Sequence, residues 1–432
     1  MNISNKKVYT ITEFSSFTRD IELSNYQSLP KNTFDALENF LLSQDVNEDT
    51  NLNEIFSLSY HKNFGKIITA KNYVGILTMT DGTVIEILPK ITGKGVTHKE
   101  SRKILLQMLQ TVNDVNFKES NLSNLDTARL NLYEIFIQMF LEEVVQLTKI
   151  GIKSAYSIVE ENERFYKGKL KVSENIRHNL SHKERFYVQY DDFNANRPEN
   201  RLIKSTLHLL SKITRDPQNL QLIMQLFSSF NNVDFSRNFS ADFSNSIINR
   251  STQHYEKVLS WCRIFLKQLS FTTNLGAEVA IALLFPMERL FESYVTFMIR
   301  KNVRNTDFQV RTQDKRYSLF SYPRKSFSLR PDIVLKSENE TIVMDTKWKI
   351  LSDTKGNKGI TQADMYQMYA YGKKYNADSV VLIYPFSDTI ESTVLYYFSD
   401  DGVHVKVKFV DLRDALTSIQ SMLDEILKYK LD

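Results

Sequence analysis

The stretch Leu329-Arg330-Pro331-Asp332-Ile333-Val334-Leu335-Lys336-Ser337-Glu338-Asn339-Glu340-Thr341-Ile342-Val343-Met344-Asp345-Thr346-Lys347-Trp348 decides the fold of this chain's last third. Two runs rich in apolar and β-branched residues flank a short polar turn, the pattern of a β-hairpin. With Glu338-Asn339 as a two-residue loop, Ser337 pairs with Glu340 and Asp332 falls opposite Asp345. Opposed residues share a sheet face with Cα atoms about 4.5–5.5 Å apart. Lys347, two residues beyond Asp345, lies on that face too. Opposed like charges destabilise a sheet by about 0.2–1 kcal/mol unless something neutralises them, and a divalent cation between the carboxylates would do so.

These residue types suit phosphodiester hydrolysis. That reaction needs an activated water, a stabilised leaving oxygen and compensation of charge on the phosphate. Mg²⁺ takes hard oxygen ligands, usually one or two carboxylates completed by water and phosphate. It polarises the phosphoryl oxygen and lowers the pKa of bound water. Asp332 and Asp345 are the candidate metal ligands, and Lys347 is the candidate water-positioning base and charge stabiliser.

Upstream of the hairpin, Pro286 opens a helical pattern in which Met287, Leu290, Phe291, Tyr294, Val295 and Met298 form an apolar stripe. Glu288 and Glu292 flank it four residues apart, each an ordinary surface charge or a reach toward a metal. Between Arg300 and Arg330 stand nine basic residues against Asp307 and Asp314, the local excess that a phosphate-tracking surface needs. Downstream, residues 361–371 read as a helix with Gln367 and Tyr371 on one face. Ser379 to Tyr384 reads as a buried strand ended by Pro385. Helix, hairpin, helix, strand make an α/β core with the acidic hairpin at its centre.

Farther out the signals concern organisation. A chain of 432 residues suits two or three domains, and 42% hydrophobic with 25% charged residues is a globular balance. Only 12 glycines and 8 prolines argue for closely joined domains. The first 95 residues read as β-rich, with a hairpin around Asp81-Gly82 between Tyr73–Thr80 and Thr83–Pro89. Residues 96–275 read as mainly helical. Thr97 and Glu100 make a capping box ahead of Ile104, Leu105, Met108, Leu109 and Val112. Another stripe, from Leu132 to Phe140, runs toward Gly151, one from Leu202 to Ile213 is expected to stop at Pro217, and one spans Tyr255 to Leu269.

Cys262 is the single cysteine, which excludes an internal disulfide and a cysteine zinc site. The N-terminus lacks a signal-peptide layout, and the longest apolar run is far short of a membrane span, so a cytoplasmic protein is expected. No G-x-x-x-x-G-K-[ST] occurs, so nucleotide hydrolysis is not expected of this chain.

Taken together, Pro331-Asp332, Asp345-Thr346-Lys347 thirteen positions after Asp332, and Gln367-x-x-x-Tyr371 resemble the motifs of PD-(D/E)XK nucleases and of their RecB-like branch. The wording of Arg330-Pro331-Asp332-Ile333, Asp345-Thr346-Lys347-Trp348 and Gln362 to Gly372 is similar to the McrC family, the nuclease subunits of modification-dependent McrBC restriction systems. Val84 to Ile91, Lys167-Gly168-Lys169-Leu170 and Asn200 to Lys204 also resemble that family. Leu290-Phe291-Glu292 is similar to its first nuclease helix, which favours Glu292 over Glu288. The likeness covers most of residues 73–432.

That resemblance implies a Mg²⁺-dependent endonuclease subunit for modified, methylcytosine-containing duplex DNA. Its partner would be a McrB-like AAA+ ring that hydrolyses GTP and reads the modification. Residues 276–432 would form the PD-(D/E)XK core, and residues 1–95 and 96–275 would engage and stimulate the motor. Asp332, Asp345, Lys347 and Glu292 would be catalytic, with Gln367, Tyr371 and Arg330 supporting the site or touching DNA. A stand-alone nuclease with its own DNA-binding half, or a non-cutting activator of the motor, are the rival expectations.

Overall fold

The computed structural model describes residues 8–21, 26–42, 55–79, 81, 83–91, 93, 96–109, 111, 132–246, 249, 252–274, 279–391 and 395–428. The chain divides into two compact units, one of residues 1–128 with 272–432 and one of residues 129–271. The two ends of the sequence therefore share a unit, whereas chain order alone suggests successive regions bounded near 95 and 275. Among the described residues no helix is long and apolar enough to cross a membrane.

The first unit opens with β1 (Val8–Thr12), β2 (Ser16–Arg19), β3 (Gln27–Leu29), α1 (Lys31–Leu42), β4 (Phe56–His61), β5 (Gly65–Ala70), β6 (Tyr73–Met79), β7 (Val84–Leu88) and α2 (His98–Leu109). The hairpin expected around Asp81-Gly82 exists as the antiparallel pair β6–β7, with Thr78 facing Val84. Thr80 and Gly82 lie outside the described residues, as does Val112 of the next expected stripe. The capping box of α2 is formed: Thr97 N donates to Glu100 Oε2 at 2.8 Å, and Glu100 N to Thr97 Oγ1 at 3.3 Å.

The second unit contains α3 (Leu132–Ile150), β8 (Ala155–Glu163), β9 (Lys169–Leu170), α4 (Val172–Asn179), β10 (Phe186–Asn194), α5 (Pro198–Ile213), α6 (Pro217–Ser229), α7 (Phe239–Asn245) and most of α8 (Glu256–Asn274). It is helical except for an antiparallel sheet in the order β8-β10-β9. Pro217 does not end α5. It sits in the first turn of α6, where its missing N–H is harmless, and Asp216 caps that helix by accepting from Asn219 N at 2.9 Å.

The chain then returns to the first unit through β11 (Val279–Pro286), α9 (Met287–Val303), β12 (Gln309–Thr312), β13 (Ser318–Phe320), β14 (Ser326–Ser328), β15 (Ile333–Lys336), β16 (Thr341–Thr346), α10 (Gln362–Tyr375), β17 (Ser379–Pro385), β18 (Leu395–Phe398), β19 (His404–Val410) and α11 (Ala415–Lys428). Strand β11 joins the N-terminal sheet, whose order is β1-β7-β6-β11. The pairing is close enough that a Cβ on Gly75, at φ +135°, would stand 1.9 Å from the Leu283 carbonyl oxygen. Only glycine fits there.

The last third builds a six-stranded mixed sheet in the order β12-β15-β16-β17-β19-β18. Strands β16, β17 and β19 run parallel, and β17 is buried along its whole length, as a central parallel strand should be. Helix α10 packs on β16 and β17, and α9 packs on β16. Met368, Tyr371 and Tyr375 of α10 join Val343, Val380, Leu382 and Tyr384 in one core cluster. The expected order of helix, hairpin, helix and strand is therefore present.

Candidate active site

The β15–β16 hairpin has the expected register. Ile333 faces Met344, Lys336 faces Thr341, and Ser337 N donates to Glu340 O at 2.9 Å across the two-residue loop. One detail differs from the expected strand. Regular pairing starts at Ile333, and Asp332 turns its carboxylate across to the end of β16. There Asp332 Oδ2 accepts from both the backbone N and the hydroxyl of Thr346, each at 2.8 Å. Pro331 has no N–H to extend the ladder, so the side chain takes over the cross-strand bonding.

Asp345 is 1% exposed, on the same strand face as Val343 and hence toward the α10 core cluster. Burial pushes its carboxyl up to about 7, the Asp332 charge adds to the rise, and Lys347 opposes it. Asp332 is raised as well, by burial, against the two bonds from Thr346. Lys347 donates to Asp345 Oδ2. Burial disfavours the ammonium, but the charges of Asp345 and Asp332 outweigh it and hold the Lys347 pKa above its ordinary value. Its backbone N bonds Ile383 O of β17 at 2.9 Å, which fixes where the side chain departs. The two aspartates and the lysine predicted to converge do so.

Helix α9 supplies the third carboxylate. Its apolar stripe is buried, Glu288 is exposed, and Glu292 is half-buried at the edge. Burial and the Asp332 charge both raise the Glu292 pKa. Gln313 connects them: its Nε2 donates to Glu292 Oε1 and to Asp332 Oδ1, the latter at 3.1 Å, and its backbone N donates to Asp332 O at 3.0 Å. On α10, Gln367 Nε2 donates to the Tyr371 hydroxyl at 2.8 Å, and the Arg330 backbone bonds the same hydroxyl. Burial and the Asp345 charge raise the Tyr371 pKa. Tyr371 is thus a buried member of the core that also borders the site, while the Arg330 side chain is exposed.

The donor set suits a hard divalent cation. Its oxygens come from clustered acids, with the Asp332 charge raising the pKa of both Asp345 and Glu292, and the Lys347 ammonium stands against Asp345. Among the described residues no three His, Cys, Asp or Glu side chains form a ready-made cage. Mg²⁺ does not need one, since water and phosphate complete its shell.

A family model described as McrBC 5-methylcytosine restriction system component matches residues 68–385. The chain belongs to the McrBC family. Among curated McrBC relatives, the type IV methyl-directed restriction enzyme EcoKMcrBC of Escherichia coli (strain K12) is 23% identical over 320 residues, 69% of this chain and 89% of the relative. Among solved structures, a chain of the refined half-complex from the tetradecameric assembly of Thermococcus gammatolerans McrB AAA+ hexamers with bound McrC matches with a TM-score of 0.67. That match is 18% identical and covers 97% of this chain and 100% of the other, which establishes a shared McrBC fold.

Two residues of this McrBC-family site escaped sequence reasoning. Gln313 lies nineteen positions before Asp332, in no motif, and takes a left-handed backbone at φ 50°. Glu13 is fully buried, and both its oxygens accept from Trp348 Nε1, at 2.8 and 3.0 Å, one residue past Lys347. Lys90 N donates to it at 2.9 Å, and burial lifts its carboxyl to about 7. A contact spanning 335 positions leaves no local signal.

Proposed function

We propose that this McrBC-family chain is the McrC-type subunit, a Mg²⁺-dependent PD-(D/E)XK endonuclease that cuts modified, methylcytosine-containing duplex DNA. The observation that carries the reading is the convergence of Asp332, Asp345 and Lys347 at the end of one hairpin, with Glu292 and Gln313 beside them. Asp332 and Asp345 would hold the ion, with Glu292 as a further acidic contributor. The bound ion would supply polarisation of the phosphoryl oxygen and a more acidic water. Lys347, whose raised pKa keeps it an ammonium at neutral pH, orients the attacking water and stabilises charge on the phosphate. Thr346 and Gln313 hold the carboxylates in place.

The family, and a fold shared with a McrB–McrC assembly, support a McrB-like AAA+ GTPase ring as partner, with GTP turned over by that ring. This chain carries no P-loop of its own.

The test is cleavage of methylated duplex DNA by the chain together with its GTPase partner. Asp345→Ala and Lys347→Ala should each lower cutting by about 10³-fold or more, on the scale of removing a principal transition-state stabiliser. Both should leave stimulation of the partner's GTP turnover intact. Normal cutting by Asp345→Ala would sink the nuclease assignment. Failure of folded, partner-bound Lys347→Ala to stimulate would sink the division of labour.

A further inference from the structure

Between β12 and β15 the chain makes an excursion that the catalytic reading does not use. Thr312 and Ile333 are register partners, so residues 313–332 leave and return at the same place in the sheet, beside Gln313 and Asp332. The excursion carries the β13–β14 hairpin, with Ser318 facing Ser328 and Phe320 facing Ser326. Its base is anchored: Leu329 N bonds Tyr317 O at 2.9 Å, and the Tyr317 ring packs edge-on against Tyr375 of α10 at 4.6 Å.

Its tip is the opposite of buried. Tyr322 is 88% exposed, Phe327 73% and Phe320 54%, while Arg324 and Lys325 between them are exposed too. Phe320 and Phe327 meet edge to face at 5.9 Å and stiffen the pair. Phe327 also takes a left-handed backbone at φ 56°, a conformation unfavourable for a bulky side chain. An aromatic ring kept in water by a strained backbone is what a contact element looks like before its partner arrives.

We propose that this hairpin, resting on the nuclease reading above, is a wedge that grips duplex DNA next to the scissile phosphate. Arg324 and Lys325 neutralise backbone phosphates, and Tyr322 and Phe327 press into the groove against the bases and loosen their stacking. Charge chooses the ligand: aromatic rings interleaved with cations at the mouth of a phosphodiester-cleaving site complement a polyanion with stackable bases. The rigid rooting at Asp332 sets the wedge at a fixed spacing from the bond that is cut.

The full-length chain is titrated onto a fluorescein-labelled 40-base-pair duplex without divalent cation, and onto the same duplex carrying 2-aminopurine. The native chain should raise 2-aminopurine fluorescence. Tyr322→Ala combined with Phe327→Gly should abolish that rise and weaken binding at least tenfold, with an unchanged salt slope. Glycine also relieves the left-handed backbone, so thermal unfolding should not fall. Arg324→Ala with Lys325→Ala should reduce the slope of log affinity against log salt by about two. Native binding and fluorescence in the aromatic variant overturn the wedge, and so does a loss confined to stimulation of the partner GTPase, which would make the hairpin a protein contact. Lys347→Ala should bind and unstack like the native chain in this titration. In a separate assay with Mg²⁺ and the GTPase partner added, it should fail to cut the methylated duplex that the native chain cuts. Cutting by Lys347→Ala overturns the nuclease reading, whatever the hairpin variants do.

Discussion

Gln313 sits between two of the site's acids, Glu292 and Asp332. Its amide donates to Glu292 and Asp332, and Asp332 in turn is held by Thr346. Removing the amide leaves Glu292 and Asp332, both half-buried, with no donor shared between them, and Asp332 held only through the Oδ2 that Thr346 bonds. Gln313→Ala should therefore lower the cleavage rate by about 10–100-fold, the usual range for a residue that orients a ligand. The loss should fall on kcat and on the Mg²⁺ concentration required, with KM for DNA unchanged. A variant that cuts at the native rate would mean that Thr346 alone positions Asp332. The aspartates and the lysine were legible in the sequence because period-two alternation and one turn place them. Gln313 was not, because its role depends on a left-handed backbone and on a helix edge twenty-one positions away.

At the scale of elements, the end of β1 matters to the hairpin through Glu13, the residue that follows it. Its folded pKa of about 7 lies above the ordinary 4.5, because burial penalises the charge more than Trp348 and Lys90 compensate. A raised acid binds its proton more tightly in the folded state, so its contribution to stability is complete below about pH 4.5 and declines as pH rises to about 7. The size of that decline is on the order of 3 kcal/mol. Glu13→Gln keeps an acceptor for Trp348 Nε1 and Lys90 N but cannot ionise. Its melting temperature should fall less than the native one between pH 5 and 7.5, with the remainder of the slope shared among the other raised acids, Asp345 and Glu292 among them. Glu13→Ala leaves those buried donors unpaired and should cost about 1–3 kcal/mol at every pH. Parallel slopes for native and Glu13→Gln chains in thermal melts would remove Glu13 from the account.

For the whole molecule, the decisive fact is that residues 1–128 and 272–432 form one unit. Strand β11 pairs with β6, and Trp348 is bonded to Glu13. A chain ending at residue 275 would strip β11 from the β6 edge and leave Glu13 buried without its indole partner. Such a truncation should be poorly soluble and protease-sensitive, as soluble fraction and limited proteolysis would reveal, whereas Lys347→Ala should behave like the native protein. A well-folded 1–275 fragment would show that the N-terminal sheet is self-sufficient.

The sequence by itself determined the acidic hairpin, its register, the helix carrying Glu292 and the Gln367–Tyr371 pair. Each rests on contacts within a few residues or on a two-stranded turn, where local geometry leaves little choice. It also determined the α2 capping box and the β6–β7 pair for the same reason. Tertiary structure alone decided that β11 completes an N-terminal sheet, that Gly75 must lack a side chain, and that Glu13 buttresses Trp348. These depend on segments brought together across hundreds of residues, and the burial that makes them energetically important exists only after the chain has folded.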